Sequence, residues 1–160
     1  MTKEATEIIL RLLAHCEQQL EETIKNQRSS LTDTKQAGSA MTSRYDTFRE
    51  EAEYRTTAFG VQAQKLQEAI RKLRQLLQAN PPTSQKVVAG SLVTVEEEDN
   101  RKEAKQFLPV PDGGGFKAND VVTVNMQSPI GQALMRKQQG DDVILTNGGK
   151  STIYIITEVK

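Results

Sequence analysis

Along the first half of the chain, apolar side chains return at intervals of three, four or seven positions: Ile9, Leu13, Cys16, Leu20, Ile24 and Leu31. A second series follows, Ala52, Thr56, Phe59, Ala63, Leu66, Ile70, Leu73 and Leu77, and it alternates strictly by four and three. At 3.6 residues per turn each series falls on one stripe of an α-helix, and an alternation sustained this long marks a coiled-coil seam. Between the two lies Gly38-Ser39-Ala40-Met41-Thr42-Ser43, where the period fails and a glycine enters. That chemistry predicts a turn. Two seams joined by one turn fold back on each other as an antiparallel helical hairpin. Each arm of about 30 residues would be roughly 45 Å long, with its tip near 38–47.

The hairpin is expected to occupy 1–79. Asn80-Pro81-Pro82-Thr83-Ser84 ends it, because proline cannot continue a helix and restricts the residue before it. Residues 80–85 read as a linker and 86–160 as a second domain. There the pattern turns to short β-branched runs between turn signals, predicting strands over 87–95, 106–110, 121–126, 143–146 and 152–159. Asn147-Gly148-Gly149 is a good hairpin connection. Asp112-Gly113-Gly114-Gly115 reads as a flexible connection, since no Lys-Ser/Thr and helix follow to make a phosphate cradle. One short helix interrupts the strands: Ser128 caps it, Pro129 suits its first position and Gly140 closes it after Arg136-Lys137. Ile130, Ala133, Leu134 and the stem of Lys137 would face the sheet. The fold class is therefore α+β, an N-terminal coiled-coil hairpin followed by a small, mostly antiparallel β-rich domain with one helix.

Composition narrows the chemistry. The 160 residues carry 21 basic and 21 acidic side chains, which argues against a protein held on nucleic acid mainly by its own net charge. A hydrophobic fraction of 36%, without tryptophan, suits long exposed helices better than one large globule. His15 and Cys16 are the only histidine and cysteine, which removes an intramolecular disulfide, a cysteine-based zinc site and, on general grounds, a Ser/His or Cys/His relay. No run approaches the length of a membrane span and no signal-peptide core is present, so a soluble, cytoplasmic protein without membrane attachment is expected.

Several charged and aromatic positions have ordinary readings. Thr47-Phe48-Arg49-Glu50 has the form of a capping box, with carboxylates favoured in a first helical turn. Glu51 and Arg55 suit an exposed i,i+4 pair. Tyr54 and Phe59 read as packing residues of the hairpin. Arg71, Lys72 and Arg74 lie near a helix C-terminus, where positive charge is favoured, and also offer a basic surface facing RNA. Glu96-Glu97-Glu98-Asp99 reads as a solvated turn.

Three features stand out together: the acidic segment Glu50-Glu51-Ala52-Glu53-Tyr54; the helix start Ser128-Pro129-Ile130-Gly131-Gln132-Ala133-Leu134, followed by Gly140-Asp141-Asp142-Val143; and the order of parts, helical hairpin, short linker and β-rich domain. Together they resemble the acidic segment, the "SPI…AL" helix start and the layout of the Gre family of bacterial transcript-cleavage factors.

The resemblance implies an FKBP-like second domain that docks on bacterial RNA polymerase, with Ser128, Pro129 and Ile130 contacting the partner. It implies a coiled coil inserted down the polymerase secondary channel. There, tip carboxylates share a Mg²⁺ with the polymerase and stimulate its own cleavage of backtracked RNA, so the chain is not itself an enzyme. Glu50 falls on the family's tip glutamate. Thr47 stands where the family has aspartate and Asp46 lies one residue further away, so Asp46 and Glu50 are the implied metal-holding and catalytic pair, with Glu51 and Glu53 as local alternates.

The nascent RNA 3′ end, DNA within the elongation complex and a monomeric state belong to the same reading. The altered tip also fits a non-cleaving regulator or inhibitor in the same channel. Outside this family, the seam alone would suit an assembly protein that dimerises through it. The scarcity of aromatic residues (three Tyr, four Phe) argues against a prolyl-isomerase pocket.

Overall fold

The computed structural model describes residues 1–37, 44–81, 84–98, 104–147 and 150–160; within these, the side chains at 33–37, 44–49, 52, 146–147 and 150 are not described. Two long helices come first, α1 (Lys3–Ala37) and α2 (Arg44–Ala79). The segment expected to turn the hairpin, 38–43, and linker residues 82–83 lie outside the described residues, as do Asp99 and Gly148-Gly149. Among the described residues no helix is long and apolar enough to cross a membrane.

In α2 the seam runs as its spacing predicts. Ala63, Ile70 and Leu73 are buried, joined by Ala69 and Leu76, while Thr56, Phe59, Leu66 and Leu77 are half-buried. In α1 the stripe sits elsewhere. Ala5, Ile8, Ile9, Leu12, Cys16 and Thr23 are buried and Gln27 and Ser30 half-buried, whereas Leu31 is 44% exposed. Leu13, Leu20 and Ile24 flank the seam as half-buried residues. The expected line ending at Leu31 followed apolar identity, but between Thr23 and Ser30 the described stripe is filled by small or polar side chains.

The chain divides into two compact units: Met1–Leu13 with Arg71–Lys160, and Ala14–Ile70. The division crosses both long helices. In the first unit the helix ends meet the β-rich part directly. Lys72 Nζ pairs with Asp112 Oδ2 at 3.2 Å, and a Cβ placed on Gly113 would come within 3.2 Å of Leu12. In the second unit the two helices face each other across polar groups, with Thr56 Oγ1 donating to Ser30 Oγ at 3.2 Å.

The sheet has six strands: β1 (Val93–Glu97), β2 (Ala104–Val110), β3 (Lys117–Ala118), β4 (Val121–Asn125), β5 (Asp142–Asn147) and β6 (Lys150–Val159), in the order β3-β4-β2-β1-β6-β5. All neighbours are antiparallel except β2 and β4, which run parallel. The first strand begins later than the expected 87–95, because Gly90 at φ +82° turns the chain and Ser91 Oγ accepts from Val88 N. Val87 is still fully buried beside the isolated bridge Lys86–Gln138. The two-residue β3 has too short a pattern to be seen in sequence.

One sheet face carries Val93, Val95, Phe107, Val124, Val143, Tyr154 and Ile156, which pack with Val87 and with Leu134 of α3 (Pro129–Leu134). Ile130, Ala133 and Met135 add to this cluster. Lys105 caps its edge, donating to Tyr154 Oη at 2.9 Å. Burial of this set is the main driving force for the domain, at about 1.5–3 kcal/mol per large apolar side chain.

The Asp112–Gly115 stretch is tied down, not loose. Thr123, wholly buried, accepts from Phe116 N through its Oγ1 at 3.0 Å and donates to Gly113 O at 3.0 Å. Gly115 N donates to Thr123 O at 2.7 Å.

Candidate functional site

The acidic segment lies on the outer surface of α2. The helix is already formed at Arg44, so Thr47 sits inside it and cannot be its N-cap. The expected capping box is therefore corrected, and Glu50 is not engaged in closing a helix start. On a continuous helix Asp46 and Glu50 are four residues apart and share a face. The Asp46 side chain lies outside the described residues; Glu50 is exposed, as are Glu51 and Glu53.

Glu50, Glu51, Tyr54 and Arg55 line a shallow open depression of about 450 Å³. Arg55 pairs with Glu51 at 3.6 Å, both well exposed. Tyr54, expected to pack in the hairpin, is instead 78% exposed, because it follows Glu50 by one turn on the solvent face and not on the seam. Phe59 is half-buried, in keeping with its seam position. Among the described residues, no three His, Cys, Asp or Glu side chains come together as a metal cluster.

The other candidate group starts α3. Ser128 holds extended backbone (φ −71°, ψ 157°) and its Oγ accepts from Gly131 N at 3.1 Å while donating to Asn125 O at 2.6 Å. Both its hydrogen-bonding roles are spent on the local fold. Ile130 is half-buried against the domain core, and Pro129 is the exposed member of the three.

Gly131 completes the motif by close approach: a Cβ there would lie 2.1 Å from Asn125 O. The helix ends at Leu134, and Arg136 takes φ +66° before Gly140 at φ +90°. The expected stop at Gly140 was thus a turn later in the chain, and Met135, not Lys137, adds to the core beyond the helix.

That serine-capped helix, with a glycine no other residue can replace and the parallel β2–β4 pair beside it, lies within residues 82–160. These residues match the family model for the C-terminal domain of the transcription elongation factors GreA and GreB. Through its C-terminal half, the chain belongs to the GreA/GreB family. Members of this family are transcription elongation factors that act on RNA polymerase.

Solved structures similar to the chain include GreA factor homolog 1 (Gfh1) of Thermus thermophilus, 15% identical over 100% of this chain and 97% of that one, with a TM-score of 0.41. Gfh1 of Thermus aquaticus is 16% identical over 91% and 92%, TM-score 0.43. A prokaryotic GreA/GreB elongation factor from Nitrosomonas europaea is 23% identical over 57% and 78%, TM-score 0.39. No curated protein matches the chain. For a GreA/GreB-family protein, the helical hairpin, the sheet-rich domain and its single short helix are the expected parts.

Proposed function

We propose that this GreA/GreB-family chain docks on bacterial RNA polymerase through its C-terminal domain. It places the helical hairpin in the secondary channel and stimulates the polymerase's own hydrolysis of backtracked RNA. The observation that carries this reading is the position of Asp46 and Glu50, one helical turn apart on an uninterrupted stretch of α2, with Glu50 facing solvent. The donor set suits Mg²⁺, which prefers oxygen ligands and takes one or two carboxylates from any one partner. When bound between polymerase and factor, Mg²⁺ would supply activation of the attacking water and stabilisation of the leaving oxygen.

Asp46 and Glu50 hold and orient, with Glu51 and Glu53 one step around the helix as alternates. The polymerase contributes the rest of the site, and the nascent RNA 3′ end is the substrate, with DNA of the elongation complex nearby. Pro129, outward at the start of α3, is the member of Ser128-Pro129-Ile130 placed to touch the polymerase. The factor acts as a cytoplasmic monomer, since its two helices satisfy each other's seams.

A second reading rests on Thr47. It stands where the family's aspartate is expected, and Asp46 is displaced by about 100° around the helix relative to that position. A non-cleaving occupant of the same channel would show this alteration.

The deciding experiment mixes the protein with a stalled, backtracked elongation complex carrying 3′-extruded labelled RNA and Mg²⁺. Shortened transcripts that vanish with Glu50→Ala, while polymerase binding persists, are the expected result. Slowed elongation with no short products would establish the non-cleaving reading, and equal loss of binding and cleavage would remove Glu50 from its role.

A further inference from the structure

The outer face of α2 holds more than carboxylates. Among the described residues Tyr54 is the most exposed large hydrophobic side chain, at 78%, and Val61 on the same face is also exposed. At 3.6 residues per turn Glu50, Tyr54, Thr57, Ala58, Val61 and Lys65 form one stripe, turned away from the buried Ala63 and Ile70. All six are exposed.

Tyr54 stands between two shallow depressions. On one side it meets Glu50, Glu51 and Arg55 around about 450 Å³; on the other, Ala58, Val61, Gln62 and Lys65 line a second of about 400 Å³. Among the described residues nothing bonds the Tyr54 hydroxyl, and Lys65 has no ion-pair partner.

A lone exposed apolar residue needs no explanation. Here an aromatic ring stands clear, with only the short Thr57 and Ala58 before the next apolar residue at Val61, so a flat group can lie against it. The coiled-coil seam gains nothing from this, because the partner helix packs on the other side of α2.

Position decides the occupant. A phosphate held by Glu50 through a shared metal lies over this same face, and Tyr54 is the next residue along it, about 6 Å further at 1.5 Å per residue. The neighbouring nucleotide of an unpaired strand therefore falls within reach of the ring. From Tyr54 to Lys65 the face runs about 16 Å. That accommodates a few nucleotides at roughly 3.4 Å each when stacked, and Lys65 sets a positive charge at the far end for their phosphates. An aromatic platform with a cation beside it is how proteins hold single strands.

We propose that Tyr54 stacks on the base immediately 3′ of the scissile phosphate in backtracked RNA, and that cleavage is faster when that base is a purine. The preference follows from stacking strength, since a purine lays the larger ring surface on the tyrosine. The inference rests on the cleavage-stimulating reading above and adds to it a base-contacting residue and a selectivity. The rival occupant is the protein wall of the channel, against which Tyr54 would govern binding of the factor and be indifferent to the base.

The test uses the full chain and two backtracked elongation complexes that differ only in adenine or uracil at that position. At saturating protein, Tyr54→Ala should slow Mg²⁺-dependent cleavage at least about fivefold, with affinity for the complex within twofold of the parent. Tyr54→Leu keeps apolar bulk without a ring and should lose as much, whereas Tyr54→Phe should stay within twofold of the parent rate. Thermal unfolding should be the same for all, because the ring is largely in solvent. The parent should favour adenine over uracil at least about twofold more than polymerase alone does, and Tyr54→Ala should remove that margin. With Mg²⁺ withheld, 4-thiouracil at the same position should crosslink under near-ultraviolet light to the segment carrying Tyr54.

Parent cleavage that Tyr54→Ala leaves within twofold, or a loss matched by an equal loss of affinity, would overturn the stacking role while the cleavage reading stands. A parent that crosslinks at Tyr54 without cleaving would remove the cleavage reading and uphold the base contact. Neither cleavage nor crosslink would overturn both.

Discussion

The two compact units use the same pair of helices in different ways. In the unit formed by Met1–Leu13 and Arg71–Lys160, the helix faces bury Ala5, Ile8, Ile9, Leu12, Leu73 and Leu76, all apolar and all but Ala5 large. Among the described side chains of the unit Ala14–Ile70, the buried ones are Cys16, Thr23, Ala63, Ala69 and Ile70, and further along Thr56 meets Ser30 while Gln27 lies close to Gly60. Thr23 spends its hydroxyl on the Gln19 carbonyl of its own helix at 2.7 Å, not on its partner. Burial of apolar area is what holds helices together in water, so the same coiled-coil geometry is backed by a strong seam in one unit and a weak one in the other. The carboxylates proposed to act in the polymerase lie on the weakly sealed unit, as functional elements drawn from the less stable part of a fold commonly do.

The comparison is sharpest where a single deletion should hurt most. Leu73→Ala removes a side chain with no exposure and should cost about 2–5 kcal/mol in urea unfolding; a cost below about 1 kcal/mol would mean that the first unit is not sealed by this stripe. Hydrogen exchange should follow. Amides around 20–30 and 56–62 are expected to exchange at least about tenfold faster than those at 8–12 and 73–76, and equal protection would erase the distinction between the units.

Thr23→Val should change stability by less than about 1 kcal/mol and in the stabilising direction. It exchanges a buried hydroxyl for a methyl while the Gln19 carbonyl keeps its helical bond. A loss comparable with that of Leu73→Ala would show that the polar seam is specifically built. Arg11→Ala should do least, under about 0.5 kcal/mol, since its pair with Glu7 is more than half exposed on both sides.

The same contrast decides what could be read in advance. The α2 seam, with leucine, isoleucine and phenylalanine at its regular positions, was legible from Thr56 to Leu77, where every expected position is buried or half-buried. The α1 seam was legible only where it is apolar. Beyond Ile24 the expected line moved to Leu31, because a stripe made of Thr23, Gln27 and Ser30 gives no hydrophobic period to follow.

In the β-rich part the strands at β2, β4, β5 and β6 announced themselves by β-branched runs. The start of β1 did not, since the positive φ at Gly90 and the Ser91–Val88 bond are local events inside a continuous apolar pattern. Ser128 was readable as a cap and proved to be one. Ser128, Pro129 and Ile130 read as a partner contact, and the structure shows how much of that motif serves the fold: Ile130 half-buried against the core and Gly131 against the Asn125 carbonyl. Tyr54 failed because an aromatic off a helical seam looks the same as one on it.

Cys16 gives the weak seam a clock. It is the only thiol in the sequence and it sits buried among the seam residues, so an alkylating reagent can reach it only in the moments when the helices part. The labelling rate at saturating reagent would count those openings directly. A polymerase channel that grips the hairpin would slow the count, turning occupancy of the channel into a rate measured on a single sulfur atom.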